Sequence, residues 1–225
     1  MTILIACGLQ REANILRGLG VIAIPGGGDA ARLEALLEAQ AAGAAMILSC
    51  GIAGALDPSL RAGDIVMDIH PPFVPSAAEG RATSAAPGTN GSWEDRLETT
   101  LPPAHHGTII GQDHIAATAA EKAALYAATG ALAVDMESHI AARVAARHGL
   151  PFMAIRTISD TATETLPPAA LVGMNPDGSM ALGKVLASLA ANPGQILSLI
   201  RIGRNAEAAF RALSDVAAAI PALGV

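Results

Sequence analysis

The sequence predicts an α/β fold in which helices cover a central sheet, and three observations lead there. Short apolar, β-branched runs alternate along the chain with stretches whose apolar residues recur at helical spacing, the mark of strand–loop–helix units. The run Pro151-Phe152-Met153-Ala154-Ile155-Arg156-Thr157-Ile158 ends in Ser159-Asp160, which puts an acid at the carboxyl end of a strand, where open α/β sheets hold ligands. The 52% hydrophobic content includes only five aromatic residues, so the core is assembled from Ala, Leu, Ile and Val, as in helices packed closely on a sheet.

The chain, 225 residues long, is read as a single domain, residues 1–225, because no Ser/Gly-rich or charge-block linker divides it. A net charge of −6 without any Lys/Arg cluster argues against a nucleic-acid partner. It also argues against a generic anionic-membrane binder. Cys7 and Cys50 each sit in an apolar strand-like run and are expected to be buried, reduced thiols rather than a disulfide. The amino-terminal run Thr2–Cys7 is short and lacks a basic leader, so it reads as a first strand. No apolar stretch reaches the roughly 18 residues of a membrane span, and the protein is expected to be soluble and cytoplasmic.

Residues 2–7 form the first strand and stop at Gly8; the turn Gln10-Arg11-Glu12 leads into a helix marked by Ala13, Ile15, Leu16 and Leu19. Arg11 and Glu12 therefore fall near a strand's carboxyl end and a helix amino terminus, where backbone N–H groups favour anions. A second strand covers Val21–Ile24. Pro25-Gly26-Gly27-Gly28 follows, then a helix capped by Asp29 with Leu33, Leu36 and Leu37 on its apolar face. The glycine cluster lacks the rest of a phosphate-loop motif and reads as a turn.

Residues 45–50 read as a central buried strand running into Gly51-Ile52-Ala53-Gly54-Ala55-Leu56, where the small residues, Ala53 and Gly54 among them, let a ligand approach the backbone. A turn at Gly63-Asp64 precedes a strand at Ile65–Ile69. Residues 70–106 read as a long mobile loop, a flap or a partner-contacting segment. His105-His106 has no third ligand at usable spacing, so no metal is expected. A strand at 108–110, the polar turn Gly111-Gln112-Asp113-His114, an alanine-rich helix over 118–128 and a strand at 131–134 come next. Asp135-Met136-Glu137-Ser138 then opens a helix that ends at Gly149. After Asp160 come a loop to Pro168, a turn at Asp177-Gly178, and helices over 179–190 and 194–218 that close the outer layer.

Two acids arriving from different elements, Glu137 and Asp160, suggest a site, although Glu137 also reads as an ordinary first-turn acid and Asp160 as the cap of a turn. Three segments choose between these readings: Ser49-Cys50-Gly51-Ile52-Ala53-Gly54-Ala55-Leu56 with the trailing Gly63-Asp64-Ile65-Val66, then Val134-Asp135-Met136-Glu137-Ser138, then Arg156-Thr157-Ile158-Ser159-Asp160. In this order they resemble the nucleoside phosphorylase and nucleosidase superfamily, which contains purine nucleoside and uridine phosphorylases and methylthioadenosine/adenosylhomocysteine nucleosidase. The resemblance runs from residue 2 to about 160. Gly51-Ile52-Ala53-Gly54-Ala55-Leu56-Asp57-Pro58, the earlier Pro25–Gly28 and the later Leu166-Pro167 look most like its hopanoid-associated phosphorylase branch.

That resemblance implies a three-layer α/β/α domain with a mixed central sheet, a homo-oligomer, and cleavage of the N-glycosidic bond of an adenine nucleoside. In the hopanoid branch the substrate is adenosylhopane, with an apolar, lipid-like group on the ribose 5′ side. The alternatives are a methylthioadenosine/adenosylhomocysteine-type nucleosidase and a nucleoside-binding module of the same fold without turnover. Breaking the bond builds positive charge on the ribose and negative charge on the base, so the site needs an acid at the base and polar groups on the sugar. By resemblance, Asp160 donates the proton to a purine N7, helped by partial burial, and Ser159 orients it. Glu137 accepts hydrogen bonds from the ribose hydroxyls, Met136 packs on sugar or base, and Asp113 with the backbone around Ile115 lies where the family holds the base. Pro71, Phe73, Val74, Leu166, Leu171, Val172 and Met174 would line the path of an apolar 5′ group.

The nucleophile is open between water and phosphate. Ser49 and Ile52 occupy positions where classical phosphorylases carry an Arg and a Ser or Thr for phosphate, so the usual phosphate grip is missing. Glu12 matches the nucleosidase Glu that activates water. Arg11 and Arg156 could hold phosphate by another geometry, and the hopanoid branch is itself assigned phosphorolysis. No cofactor is expected beyond phosphate as a co-substrate.

Overall fold

A computed structural model describes residues 2–69, 102–173, 175 and 177–223. The described residues build eight strands, β1 (Thr2–Cys7), β2 (Val21–Pro25), β3 (Ala44–Ala55), β4 (Ile65–Asp68), β5 (Ala104–His106), β6 (Ile109–Gly111), β7 (Ala133–Asp135) and β8 (Phe152–Asp160). The helices are α1 (Gln10–Leu16), α2 (Ala30–Ala41), α3 (Ala119–Thr129), α4 (Ser138–His148), α5 (Pro168–Leu171), α6 (Leu182–Ala191) and α7 (Ile196–Ala219). One mixed sheet has the order β2-β1-β3-β8-β4-β5, with β7 on the far end of β3 and β6 beside β7. β2, β1, β3 and β8 run parallel; β4 is antiparallel to β8 and β7 to β3.

Side-chain alternation along the central strands divides the core into two slabs, which makes three layers. Ile3, Ile5 and Cys7 of β1 and Met46, Leu48 and Cys50 of β3 face α1 and α7, where they meet Leu16, Phe210, Leu213 and Val216. Leu4 and Ala6 of β1 and Ile47 of β3 face α2 and α4, against Leu33, Leu37, Ile140 and Val144. Both thiols are buried and free, and burial pushes their pKa up, that of Cys50 to about 12.

Element boundaries depart from the periodicity in three places. α1 stops at Leu16, with Arg17 extended and Leu19 fully exposed, because no neighbour among the described residues covers a further turn. β3 continues through the glycine-rich run to Ala55, since β8 and β7 supply partners to residues that by themselves favour a turn. The end of the expected loop over 70–106 is instead strand β5, paired in parallel with β4, and His105 and His106 on it are exposed. The rest of that loop, with Pro71, Phe73 and Val74, lies outside the described residues, as does Met174. Among the described residues no single helix is long and apolar enough to cross a membrane.

Two helix ends matter for the site. α4 ends as the sequence indicates, at Gly149 in the left-handed region with φ 63°. α3 starts at a reciprocal cap: Glu121 N–H donates to Thr118 Oγ1 at 3.1 Å, and Thr118 N–H donates to the Glu121 carboxylate at 2.9 Å. Thr118→Ala should cost about 1 kcal/mol, the usual worth of such a cap, measured as a lower midpoint in urea unfolding at unchanged slope.

Candidate active site

The site forms where β3 outruns its neighbour. β1 last pairs with β3 at Ala6–Ser49, and β7 joins β3 only at Gly54. Among the described residues the intervening β3 edge lacks a strand partner, and Glu12 fills it. Its Oε1 accepts the Ile52 N–H at 2.7 Å, while Oε2 accepts the N–H groups of Gly8 and Leu9 at 2.7 and 2.6 Å. Glu12 lies in the first turn of α1 and is 1% exposed; burial raises its pKa, opposed by these backbone N–H groups and by Arg156.

Asp135, the acid to which the sequence assigns no task, anchors this end of the site. One of its oxygens, Oδ1, accepts the Ser138 hydroxyl at 2.7 Å and the N–H groups of Ser138 and Glu137 at 3.0 and 3.2 Å, capping α4. The other, Oδ2, accepts Nε–H of Arg156. Arg156, on β8, is fully buried; its Nη2 donates to Ser49 Oγ at 2.6 Å and stands 3.6 Å from Glu137 Oε2. Burial works against the guanidinium charge, but Asp135, Glu137 and Glu12 together raise its pKa further. Because Asp135 caps the helix, the Glu137 side chain is free to turn inward instead of serving as a first-turn acid. It is 7% exposed, and its pKa is pushed up to about 8, by burial first and by Asp135 and Glu12 next, against the pull of Arg156.

Glu12, Glu137 and Arg156 converge on two glycines. A Cβ on Gly8 would sit 2.8 Å from Glu137 Oε1 and 3.5 Å from Glu12 Oε2. A Cβ on Gly51 would sit 2.7 Å from Glu12 Oε1 and 2.9 Å from Arg156 Nη1, so any side chain at either position displaces the acids. The turn at Asp177-Gly178 closes over β1, with the Gly178 carbonyl accepting Gln10 N–H at 2.9 Å.

At the other end β8 delivers Ser159 and Asp160. Ser159 Oγ lies 2.8 Å from Asp160 Oδ1 and 3.1 Å from the Ala53 carbonyl, so its single proton serves one or the other. Asp160 does not cap the following turn; Glu164 does, accepting Thr161 N–H at 2.9 Å. Asp160 Oδ2 instead meets the ammonium of Lys122, a fully buried residue of α3 that periodicity hides among alanines. The only trace of it in the sequence is a lone cation on an alanine-rich helix.

The remaining expected residues are placed less centrally. Met136 is half-buried in the bend between β7 and α4. Asp113 is largely exposed and pairs with His139 at 2.9 Å, and Ile115 is 39% exposed. Arg11 is not part of the cluster. Residues 11 and 12 point about 100° apart on a helix, so with Glu12 turned inward Arg11 faces out, where it pairs with Glu207 and lies over the Phe210 ring at 3.9 Å. Arg156 also departs from the expected phosphate grip: it is enclosed by acids, and only Nη1 is without a partner.

Residues 20–191 match the family described as the phosphorylase superfamily. Solved structures with the same fold include a futalosine hydrolase mutant of Helicobacter pylori strain 26695, at 17% identity over 96% of this chain and 98% of that one, TM-score 0.61. A point mutant of the H. pylori 5′-methylthioadenosine/S-adenosylhomocysteine nucleosidase, with 5′-methylthioadenosine in its active site, matches at 18% identity over 96% and 97%, TM-score 0.60. The corresponding S. pneumoniae nucleosidase, with a transition-state inhibitor, matches at 17% identity over 98% and 100%, TM-score 0.59. No curated protein matches the sequence at a significant level.

Two outcomes follow from the buried charges. Asp135→Asn leaves Arg156 buried without its main counter-ion and should lower unfolding free energy by about 3–5 kcal/mol in urea titration. Glu137 in the folded protein keeps a proton that the unfolded chain, with an ordinary value of 4.5, gives up, so stability falls as pH rises from there towards about 8. Glu137→Gln should therefore melt higher than the parent at alkaline pH, and the gap should close on acidification below the unfolded value; a constant gap across a pH series of melts would contradict this.

Proposed function

The chain belongs to the phosphorylase superfamily, and from that membership and the geometry of its acids we propose that it hydrolyses the N-glycosidic bond of a purine nucleoside. The observation that carries the reading is Glu12: a buried carboxylate pinned by three backbone N–H groups, adjoining Glu137 and Arg156 across Gly8 and Gly51. A base for water needs a carboxylate held in one place whose proton affinity is raised towards the working pH, and burial supplies that.

In the reaction, the C1′–N9 bond lengthens and its electron pair passes to the purine, which takes a proton at N7 from Asp160. Water adds to C1′ and gives its proton to Glu12. Glu137 accepts hydrogen bonds from the ribose hydroxyls. Free purine and the 1-hydroxy sugar are the products. The pairing of Arg156 supports water over phosphate, because its Nε is taken by Asp135 and its Nη2 by Ser49, with Glu137 Oε2 at 3.6 Å. One observation favours phosphate instead, the partnerless Nη1 of buried Arg156.

The finer reading is an adenine nucleoside with an apolar 5′ substituent, of which adenosylhopane is one and methylthioadenosine another. It draws support from Leu171 and Val172, which remain 41% and 39% exposed beyond the Asp160 strand, with half-buried Leu166 leading to them. The test is incubation with adenosine, methylthioadenosine and adenosylhopane, each with and without phosphate. Adenine release independent of phosphate is expected. A phosphate requirement would replace water as the nucleophile, and no adenine from any of the three would leave a binding module. Asp160→Asn should lower turnover on the order of 100-fold or more while nucleoside still binds, and Glu12→Gln should abolish hydrolysis.

A further inference from the structure

Lys122 has no part in the proposed reaction, yet it is one of the two largest wholly buried side chains among the described residues. Its ammonium uses all three protons: on Asp160 Oδ2, on the Thr161 carbonyl at 2.9 Å and on the Glu164 carbonyl at 3.1 Å. Its Cε and Asp160 Oδ2 both abut the Gly54 backbone, where an added Cβ would meet them at 3.6 and 3.0 Å. The lysine thus ties the acid, the turn that follows it and helix α3 into one unit. Its position is fixed from behind by the Thr118–Glu121 cap one residue upstream. A buried lysine held this way is costly unless its charge is needed, because an aliphatic side chain would fill the same space without desolvation.

We propose that Lys122 is a positioning residue for Asp160. It holds the carboxyl group in place against Ser159, and its ammonium stabilises the buried carboxylate left once the proton has passed to the purine. No bond to Lys122 forms or breaks, and its own protons stay where they are. This role rests on the reading of Asp160 as the proton donor. It goes beyond that reading by adding a cation from a different element whose effect on turnover runs only through Asp160.

The test is a double-mutant cycle on the whole chain with methylthioadenosine, adenosine and adenosylhopane as probes. Lys122→Met should lower kcat about 10- to 100-fold with KM little changed, since misplacement of a catalytic group by an ångström costs about that much. Lys122→Arg keeps the charge but not the tetrahedral donor set and should recover part of the loss. The deciding variant carries both Lys122→Met and Asp160→Asn. If the lysine acts through Asp160, this variant turns over no more slowly than Asp160→Asn alone. Multiplying losses, or an unchanged kcat in Lys122→Met, would overturn the role while leaving the hydrolase reading intact. An inactive parent protein would overturn both. Should Lys122→Met fail to fold by circular dichroism, Lys122→Arg carries the same cycle with the same criterion.

Discussion

The ion pair between Arg156 and Asp135 is the constraint on which the rest of the site depends. Arg156 lies on a central strand with no access to water, and a guanidinium there persists only if acids surround it and its donors are met. Asp135 answers with one oxygen and uses the other to cap α4, so a single carboxylate joins the sheet to the helix that follows β7. This releases Glu137 from capping duty and turns it towards Gly8. Ser49, standing where a phosphate-gripping arginine sits in classical phosphorylases, accepts a hydrogen bond from Arg156 instead. Burial, offset only in part by this one arginine, makes Glu12 and Glu137 hold their protons more tightly than an exposed glutamate.

The second organising feature is the overhang of β3. Its last residues have β8 on one side throughout, but on the other side β1 stops early and β7 begins late. Unpaired backbone N–H groups inside a protein need acceptors, and Glu12 meets this need on the β3 edge and at the β1 turn together. The fold therefore holds the Glu12 carboxylate in one place by three backbone N–H groups. Satisfying the backbone and positioning the acid are one act. At the opposite end Lys122 does for Asp160 what Arg156 does for Glu137, except that it arrives from α3 and leaves no surplus donor.

The elements and the acids were largely legible from the chain. Strand-length apolar runs, the Asp29 cap, Gly149 as a terminator and the Ser159-Asp160 strand end all came through, because each depends on neighbours within a few residues. What periodicity missed depends on distant partners: β3 continuing past its glycines, β5 inside an apparent loop, and α1 stopping at Leu16. The structure does not bring Arg11 to Arg156, for the same reason. Adjacent sequence positions on α1 face different ways, so choosing Glu12 for the interior sends Arg11 to Glu207 on α7.

By itself, then, the sequence determined the layered α/β class and the strand-end placement of Asp160, since local propensity and residue type decide these; Glu12 and Glu137 were singled out by the family resemblance. Only the tertiary structure decided which charges meet. It made Asp135 the anchor, enclosed Arg156 among acids, and brought Lys122 from helix α3 to the acid at the end of β8. The physical reason is that an ion pair's strength depends on burial and separation, and both are properties of the packed chain, not of its order.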